Sequence, residues 1–498
     1  MVRIRATMVS AMRAVVPMGN TGFLPIAQRM TTVPCMAQPT TMFHIPGHPP
    51  WRIATIQQNR RTLTILRTDG SSYKNMAKKH TDPVRTPEWK WKEDVPFSQT
   101  VTVGDQIFIS GQQTLDHVGA VCNPGDIAAQ TRNVFENMKS ALAELDMELG
   151  DLVRLNTYYV FDGEDADSTR YWEDMTRVRL NYFPDPGPAA TAVRIKGMPY
   201  EGQLIQIEGI ALRGESRRNR QRIMPAGSWD WSIPVPLSQG WKIGHRIFVG
   251  GQISADDKGR SVHVGDLDAQ TRNIYGYIGR ILSDAGSSFE DIVHIKVCFK
   301  QNSHDPATGQ AFVDRIMDIT KEYLDGSAPV LTAFAVDLLY PGLDLEIDAM
   351  AIVDPDRTIL TPATLGGRYQ PSVFSDGINA GGEIHIAGQT ALGEDGSVLS
   401  PGDVNAQAKV VFERLQTVLA ETESCLNDVV KLNLFIVGED HEIKSAFHRV
   451  CRTWAEICPD GHPAMTTVRV HELPRPGLLI QADCIALKQT PANPYNHS

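Results

Sequence analysis

The chain lacks the ~20-residue apolar run that a membrane-spanning helix needs, which argues against an integral helical membrane protein. Its seven cysteines form no C-x-x-C pair and stand at unmatched places. That argues against a structural zinc site and a disulfide framework, and reads as a reduced, cytoplasmic protein without metal. There is no phosphate loop and no dinucleotide fingerprint, so no nucleotide cofactor is expected, nor any other. Acidic residues are missing from the first 68 positions, the first being Asp69.

The acids gather later. Residues 1–92 hold 14 Lys or Arg against 3 Asp or Glu, and the remainder holds 34 against 55. So acidic a body is a poor partner for nucleic acid, whose phosphates call for clustered Lys and Arg. The basic segment 1–92 has no clear helical or strand period. It is read as disordered, as a start placed too early (Met76 opens a natural beginning), or as a mitochondrial transit peptide. The last reading would move the protein from cytoplasm to mitochondrion.

What is present is a repeat. GDQIFISGQ at Gly104 returns as GHRIFVGGQ at Gly244 and GGEIHIAGQ at Gly381, at offsets of 140 and 137 residues. So long a period marks whole domains in tandem, and 498 residues accommodate about three. The repeats are placed at 93–213, 229–354 and 368–488, joined by short linkers that look exposed.

In the first repeat, Phe97–Val103 and Gln106–Ser110 read as strands around the Gly104-Asp105 turn. Asp126 to Leu145 carries apolar residues at helical spacing behind an Asp cap. A strand from Leu152, a helix from Ser168 and two strands at Thr191 and Leu204 complete a β-β-α-β-α-β-β order. The tryptophan pair Trp89-x-Trp91 recurs as Trp229-x-Trp231.

These motifs, in this order, resemble the RidA (YjgF/UK114) family of enamine and imine deaminases. The matching features are Ser-Gln, Ser-Gly-Gln, Gly-Asp-x-x-x-Gln, Asp-hydrophobic-Val-(Lys), a Pro-Ala-x-Thr strand and a closing Ile-Glu-hydrophobic-Ala strand. The resemblance implies an α+β, chorismate-mutase-like fold with two helices on one face of a mixed sheet. Members form trimers with a pocket at each boundary, so three copies in one chain imply a monomeric pseudo-trimer. A dimer of such units is compatible with this.

In the deaminases an Arg of the Pro-Ala-Arg strand grips the substrate carboxylate. Here that position holds Ala190, Leu331 and Met465. Arg194 and Arg469 lie four residues on, where either would have to reach the pocket or serve the sheet face. The closing strands carry Glu208, Asp348 and Asp483, which the resemblance makes the water-orienting acids, one to a cleft. Gln206, Glu346 and Gln481 precede them by two residues, on the same face. Phe97, Leu237 and Phe374, with Ser98, Ser238 and Ser375 beside them, are further pocket candidates. The Gly-Gln pairs read as structural, and His245, His294 and His385 do not recur between repeats.

The implied function is hydrolysis of a small imine, enamine or related C–N compound not held by its carboxylate. The alternative is a non-catalytic binder or interaction scaffold. Ribonuclease activity, a label some relatives carry, fits the acidic repeats least.

Overall fold

The structure is a computed structural model. It describes residues 96–487, except 117, 301–305, 325, 364 and 366–372, together with four short strands before them. The chain divides into Met1–Met76 and Ala77–Ser498. In the first unit, Met42–Phe43, Trp51–Ile53 and Ile65–Arg67 pair antiparallel in that order. The other residues of the expected unpacked segment, and Trp89 and Trp91, lie outside the described residues.

The second unit holds three six-stranded sheets. The first comprises β1 (Lys79–Thr81), β2 (Thr100–Val103), β3 (Gln106–Gln112), β4 (Leu152–Tyr159), β5 (Ala189–Arg194) and β6 (Ile205–Leu212). Their order is β1-β2-β3-β6-β4-β5, with only β4 and β5 parallel. Helices α1 (Ile127–Ala143) and α2 (Asp165–Arg179) belong to this repeat. A short helix α3 (Gly214–Arg218) follows.

The second repeat has β7 (Gln221–Ile223), β8 (Gly240–Ile243), β9 (Arg246–Ile253), α4 (Leu267–Asp284), β10 (Ile292–Lys300), α5 (Pro306–Leu324), β11 (Val330–Val336) and β12 (Leu345–Ile352). The third has β13 (Thr358–Leu360), β14 (Gly377–Ala380), β15 (Glu383–Thr390), α6 (Val404–Ala420), β16 (Val429–Ile436), α7 (Ile443–Ile457), β17 (Ala464–Arg469) and β18 (Ile480–Leu487). The fold is therefore α+β, as the motifs imply, with one correction. The segments read as exposed linkers supply β7 and β13, so each connection also donates an edge strand to the sheet that follows.

Local chemistry explains the repetition. Gly104, Gly244 and Gly381 take φ of +63°, +58° and +56° in the first hairpin, a region that costs a side chain dearly. Asp126, Asp266 and Asp403 accept hydrogen bonds from the backbone N–H of Ala129, Ala269 and Ala406, capping α1, α4 and α6. Removing such a cap costs about 1 kcal/mol. The Gly of each Gly-Gln pair meets another need: a Cβ on Gly111, Gly251 or Gly388 would stand within 3 Å of Gln206, Glu346 or Gln481. Each following Gln donates to the backbone, Gln112 to Ser110 O and Gln252 to Gly250 O, both at 3.0 Å.

The repeats close into a ring. Ser238 Oγ donates to Gly187 O at 2.6 Å, Ser375 Oγ to Ala328 O at 2.7 Å and Ser98 Oγ to His462 O at 2.8 Å. Each serine thus latches onto the repeat before it, the first repeat onto the third. At the centre, equivalent positions meet: Gln106 Nε2 donates to Glu383 Oε1 at 3.0 Å, and Arg246 pairs with the same carboxylate. With the ring complete inside one chain, light scattering is expected to give the mass of a single chain, 55.0 kDa, or of two. A stable species of three chains would mean that each repeat assembles with its own kind.

Candidate functional site

The three acids expected one to a cleft lie together instead. Glu208, Asp348 and Asp483 line a single cavity of about 40 Å³ with Arg154, His294, Lys296 and Lys431, room for a few waters at most. The reason is geometric. These acids stand opposite Asn156, Lys296 and Asn433 on β4, β10 and β16, and those strands turn the same face to the centre. Arg154, His294 and Lys431 fill one equivalent slot, the variable end of the Asp-hydrophobic-Val motif.

Each acid is tied across a repeat boundary. Glu208 accepts from Asn156 at 2.7 Å, from Thr466 at 2.5 Å and from Lys431 at 2.5 Å. Burial alone would raise its carboxyl, but Lys431 and then Lys296 more than offset this and hold it at about 2. Asp348 pairs with Arg154 at 2.5 Å and accepts from Thr191 at 3.1 Å. Asp483 accepts from Asn433 at 2.7 Å and Thr332 at 2.9 Å, and burial pushes it up. His294 faces Thr332 at 3.0 Å, and burial followed by the charge of Lys296 keeps its ring neutral. Burial would also pull Lys296 down, yet the carboxylates of Asp348, Asp483 and Glu208 hold it up. Its ammonium stands 3.5 Å from the Tyr158 hydroxyl.

The boundary clefts are a separate place. Leu237 packs in one core cluster with Ala190, Phe374 with Leu331, and Phe97 against the cluster of Met465. Each opening residue thus shares a cluster with the vacated arginine position of the repeat before it. Between repeats 1 and 2 the cluster also contains Tyr159, Trp172, Trp231 and Tyr340, and Trp231 stacks on Trp172 at 4.7 Å between ring centroids. Arg194 commits Nη2 to Asp165 (2.7 Å) and Asp337 (3.0 Å), and Arg469 pairs with Asp440.

One cleft residue was not singled out from sequence. Glu346 sits beside Gly251, and its Oε1 lies 3.4 Å from the backbone N–H of Ala192, across the boundary on the exposed edge of β5. Burial, and then the charge of Asp348, push its carboxyl well above the ordinary range. The equivalent positions hold Gln206 and Gln481, which carry no charge. The signal was present: LEIDAMAI puts an acid where LIQIEGIAL and LIQADCIAL put Gln.

Among the described residues, no group of three or more His, Cys, Asp or Glu could hold a metal ion. Nor is any helix of these residues long and apolar enough to cross a membrane.

Several known proteins align over about the length of one repeat. A RutC family protein of Pyrococcus abyssi is 36% identical over 118 residues, which is 24% of this chain and 87% of that protein. Protein mmf1, mitochondrial, of Schizosaccharomyces pombe is 34% identical over 117 residues, 23% of this chain and 68% of that protein. The 3-aminoacrylate deaminase RutC of Acinetobacter baylyi is 29% identical over 137 residues, 27% and 98% respectively. The family model described as Endoribonuclease L-PSP matches residues 91–213, 232–353 and 369–488. The chain therefore belongs to this family, the RidA (YjgF/UK114) family, and carries it three times in tandem.

Proposed function

We infer that the protein hydrolyses a small imine or enamine, releasing ammonia, in the cleft between the first two repeats, with Glu346 as its acid–base group. The observation that carries this is the one carboxyl among three equivalent cleft positions, buried and facing the Ala192 N–H across the boundary. A neutral carboxyl gives its proton to the imine nitrogen, or to the enamine carbon first. The resulting carboxylate takes a proton from the water attacking the C=N carbon. The carboxyl, reprotonated by that water, gives its proton to the amine of the tetrahedral adduct and takes back the hydroxyl proton as the C–N bond breaks, leaving a carbonyl product and ammonia. Glu208, held at about 2 and saturated by three partners, is too weak a base for this. Asp348 is tied to Arg154. A relative named for deaminating 3-aminoacrylate, itself an enamine, supports the reaction class.

The test forms an imine in situ with an amine oxidase and follows ammonia release with and without the full chain. Acceleration proportional to protein concentration is expected; none would end this reading. The same assay with 2-iminopropionate is expected to run at least 10-fold slower than with an Arg-bearing relative, since one charge-assisted hydrogen bond is worth ~1.5–3 kcal/mol. Equal rates would show that the vacant arginine position does not matter. The family's description as an endoribonuclease is not extended here, given 55 acidic against 34 basic residues after position 92. The basic segment 1–92 and the mitochondrial relative support a reading of mitochondrial import. Fluorescence of residues 1–75 fused to a reporter checks it, and a diffuse cytoplasmic signal would refute it.

A further inference from the structure

Among the described residues, the buried donor atoms of this cleft that have no partner include the Tyr159 hydroxyl and Nε and Nη1 of Arg194. Tyr159 is 0% and Arg194 6% exposed. A buried donor without an acceptor is costly, and it calls for an explanation. The two residues are register partners on the parallel strands β4 and β5, so both side chains leave one face of the sheet. Ala190 and Ala192 alternate with Arg194 on that face. Along the strand, Arg194 is two residues, about 7 Å, from Ala192, whose N–H meets Glu346. Arg194 and Glu346 are both near enough for their charges to act on the Tyr159 hydroxyl.

The charges decide what these donors can take. Arg194 is already matched by two carboxylates, Asp165 and Asp337. Lys300 also binds Asp165, and His471 binds Asp337. Burial would raise the Asp337 carboxyl, but His471 and Arg194 hold it at about 2, so it stays charged. Arg194 and Lys300 are thus balanced by Asp165 and Asp337, and a further anion would find no unmatched positive charge beside the free N–H groups. An uncharged acceptor takes the same hydrogen bonds without upsetting that balance.

Resting on the deaminase reading of this cleft, we propose that its substrate is an uncharged, carbonyl-bearing imine or enamine, such as an α-imino amide or ester. Its carbonyl oxygen is held by Tyr159 and the free N–H groups of Arg194. The other clefts lack the set. The equivalents of Tyr159, Arg194 and Glu346 are Phe299, Ala335 and Gln481 in one, and Ile436, Arg469 and Gln206 in the other. The chain therefore has one such site.

Calorimetric titration of the full chain with pyruvamide, methyl pyruvate and pyruvate tests this, the three being the ketone counterparts of the imines. One molecule of amide or ester per chain is expected, bound at least ~10-fold more tightly than pyruvate. Tyr159→Phe is expected to weaken the amide about 3- to 10-fold, the worth of one hydrogen bond, with its melting temperature confirming the fold. Pyruvate binding as well as pyruvamide, three sites per chain, no heat from any probe, or a folded Tyr159→Phe that binds like wild type would each overturn the proposal. Glu346→Gln separates the two readings. If it keeps amide binding and loses turnover, both stand. If turnover persists, the catalytic role falls and the ligand class stands.

Discussion

Lys431→Met is expected to lower the free energy of unfolding by about 3–5 kcal/mol at neutral pH, the usual cost of stranding a buried charge. Lys431 bonds both Glu208 and Thr466, at 2.5 and 2.6 Å. Glu208 is 3% exposed, and only the hydrogen bonds of Asn156 and Thr466 and the charge of Lys296 would remain to hold it. The loss carries a pH signature. The folded carboxyl titrates at about 2, below its ordinary 4.5. Its contribution is thus complete above about 4.5 and fades as pH falls towards 2. The variant, with that depression reduced, should converge on wild type over this window. Urea midpoints at pH 7 and pH 2.5 measure both effects. Adding Glu208→Gln should restore much of the loss, because the pair is then removed together. A penalty under ~1 kcal/mol that ignores pH would show that water already solvates the pair.

Glu346→Gln is expected to reduce kcat/KM by about 10²- to 10⁴-fold, the usual worth of a positioned acid–base group, while making the protein no less stable. Gln matches the shape of a neutral carboxyl and cannot ionise. Because the folded carboxyl lies well above its ordinary 4.5, the native state holds a proton that the unfolded chain releases. Glu346 therefore costs stability increasingly as pH rises above about 4.5, until the folded group ionises too. The variant should melt like wild type near pH 4 and later than wild type at pH 8. A residue that merely held the boundary together would give the reverse, a lower melting temperature with activity lost in step. Unchanged turnover in a stable variant would remove Glu346 from the mechanism.

The parts legible in the sequence are those that recur. Gly104, Gly244 and Gly381 mark one turn because only glycine occupies that backbone region freely. Asp126, Asp266 and Asp403 mark one cap. The edge strands β7 and β13 escaped notice because three residues are too few to show an alternation. The central cluster escaped because Lys431 and Glu208 lie far apart along the chain, and because its slot varies as Arg154, His294 and Lys431. Recurrence drew attention to Glu208, Asp348 and Asp483, which stand in every repeat and accept from Thr466, Thr191 and Thr332 across the boundaries. The chemically distinctive acid, Glu346, occurs once.

The meeting of Gln106, Arg246 and Glu383 at the centre has a genetic meaning. In an assembly of identical subunits one codon writes all three residues on the axis, and a lone arginine there would become three facing arginines. Here each is encoded separately, so a cation can be matched to an anion at the same point. The same holds for Lys296, whose ammonium would otherwise be tripled around a 40 Å³ cavity. A mutation in this chain therefore enters once, at one boundary. Two clefts can drift toward pure packing while the third keeps its chemistry, a division of labour closed to a symmetric trimer.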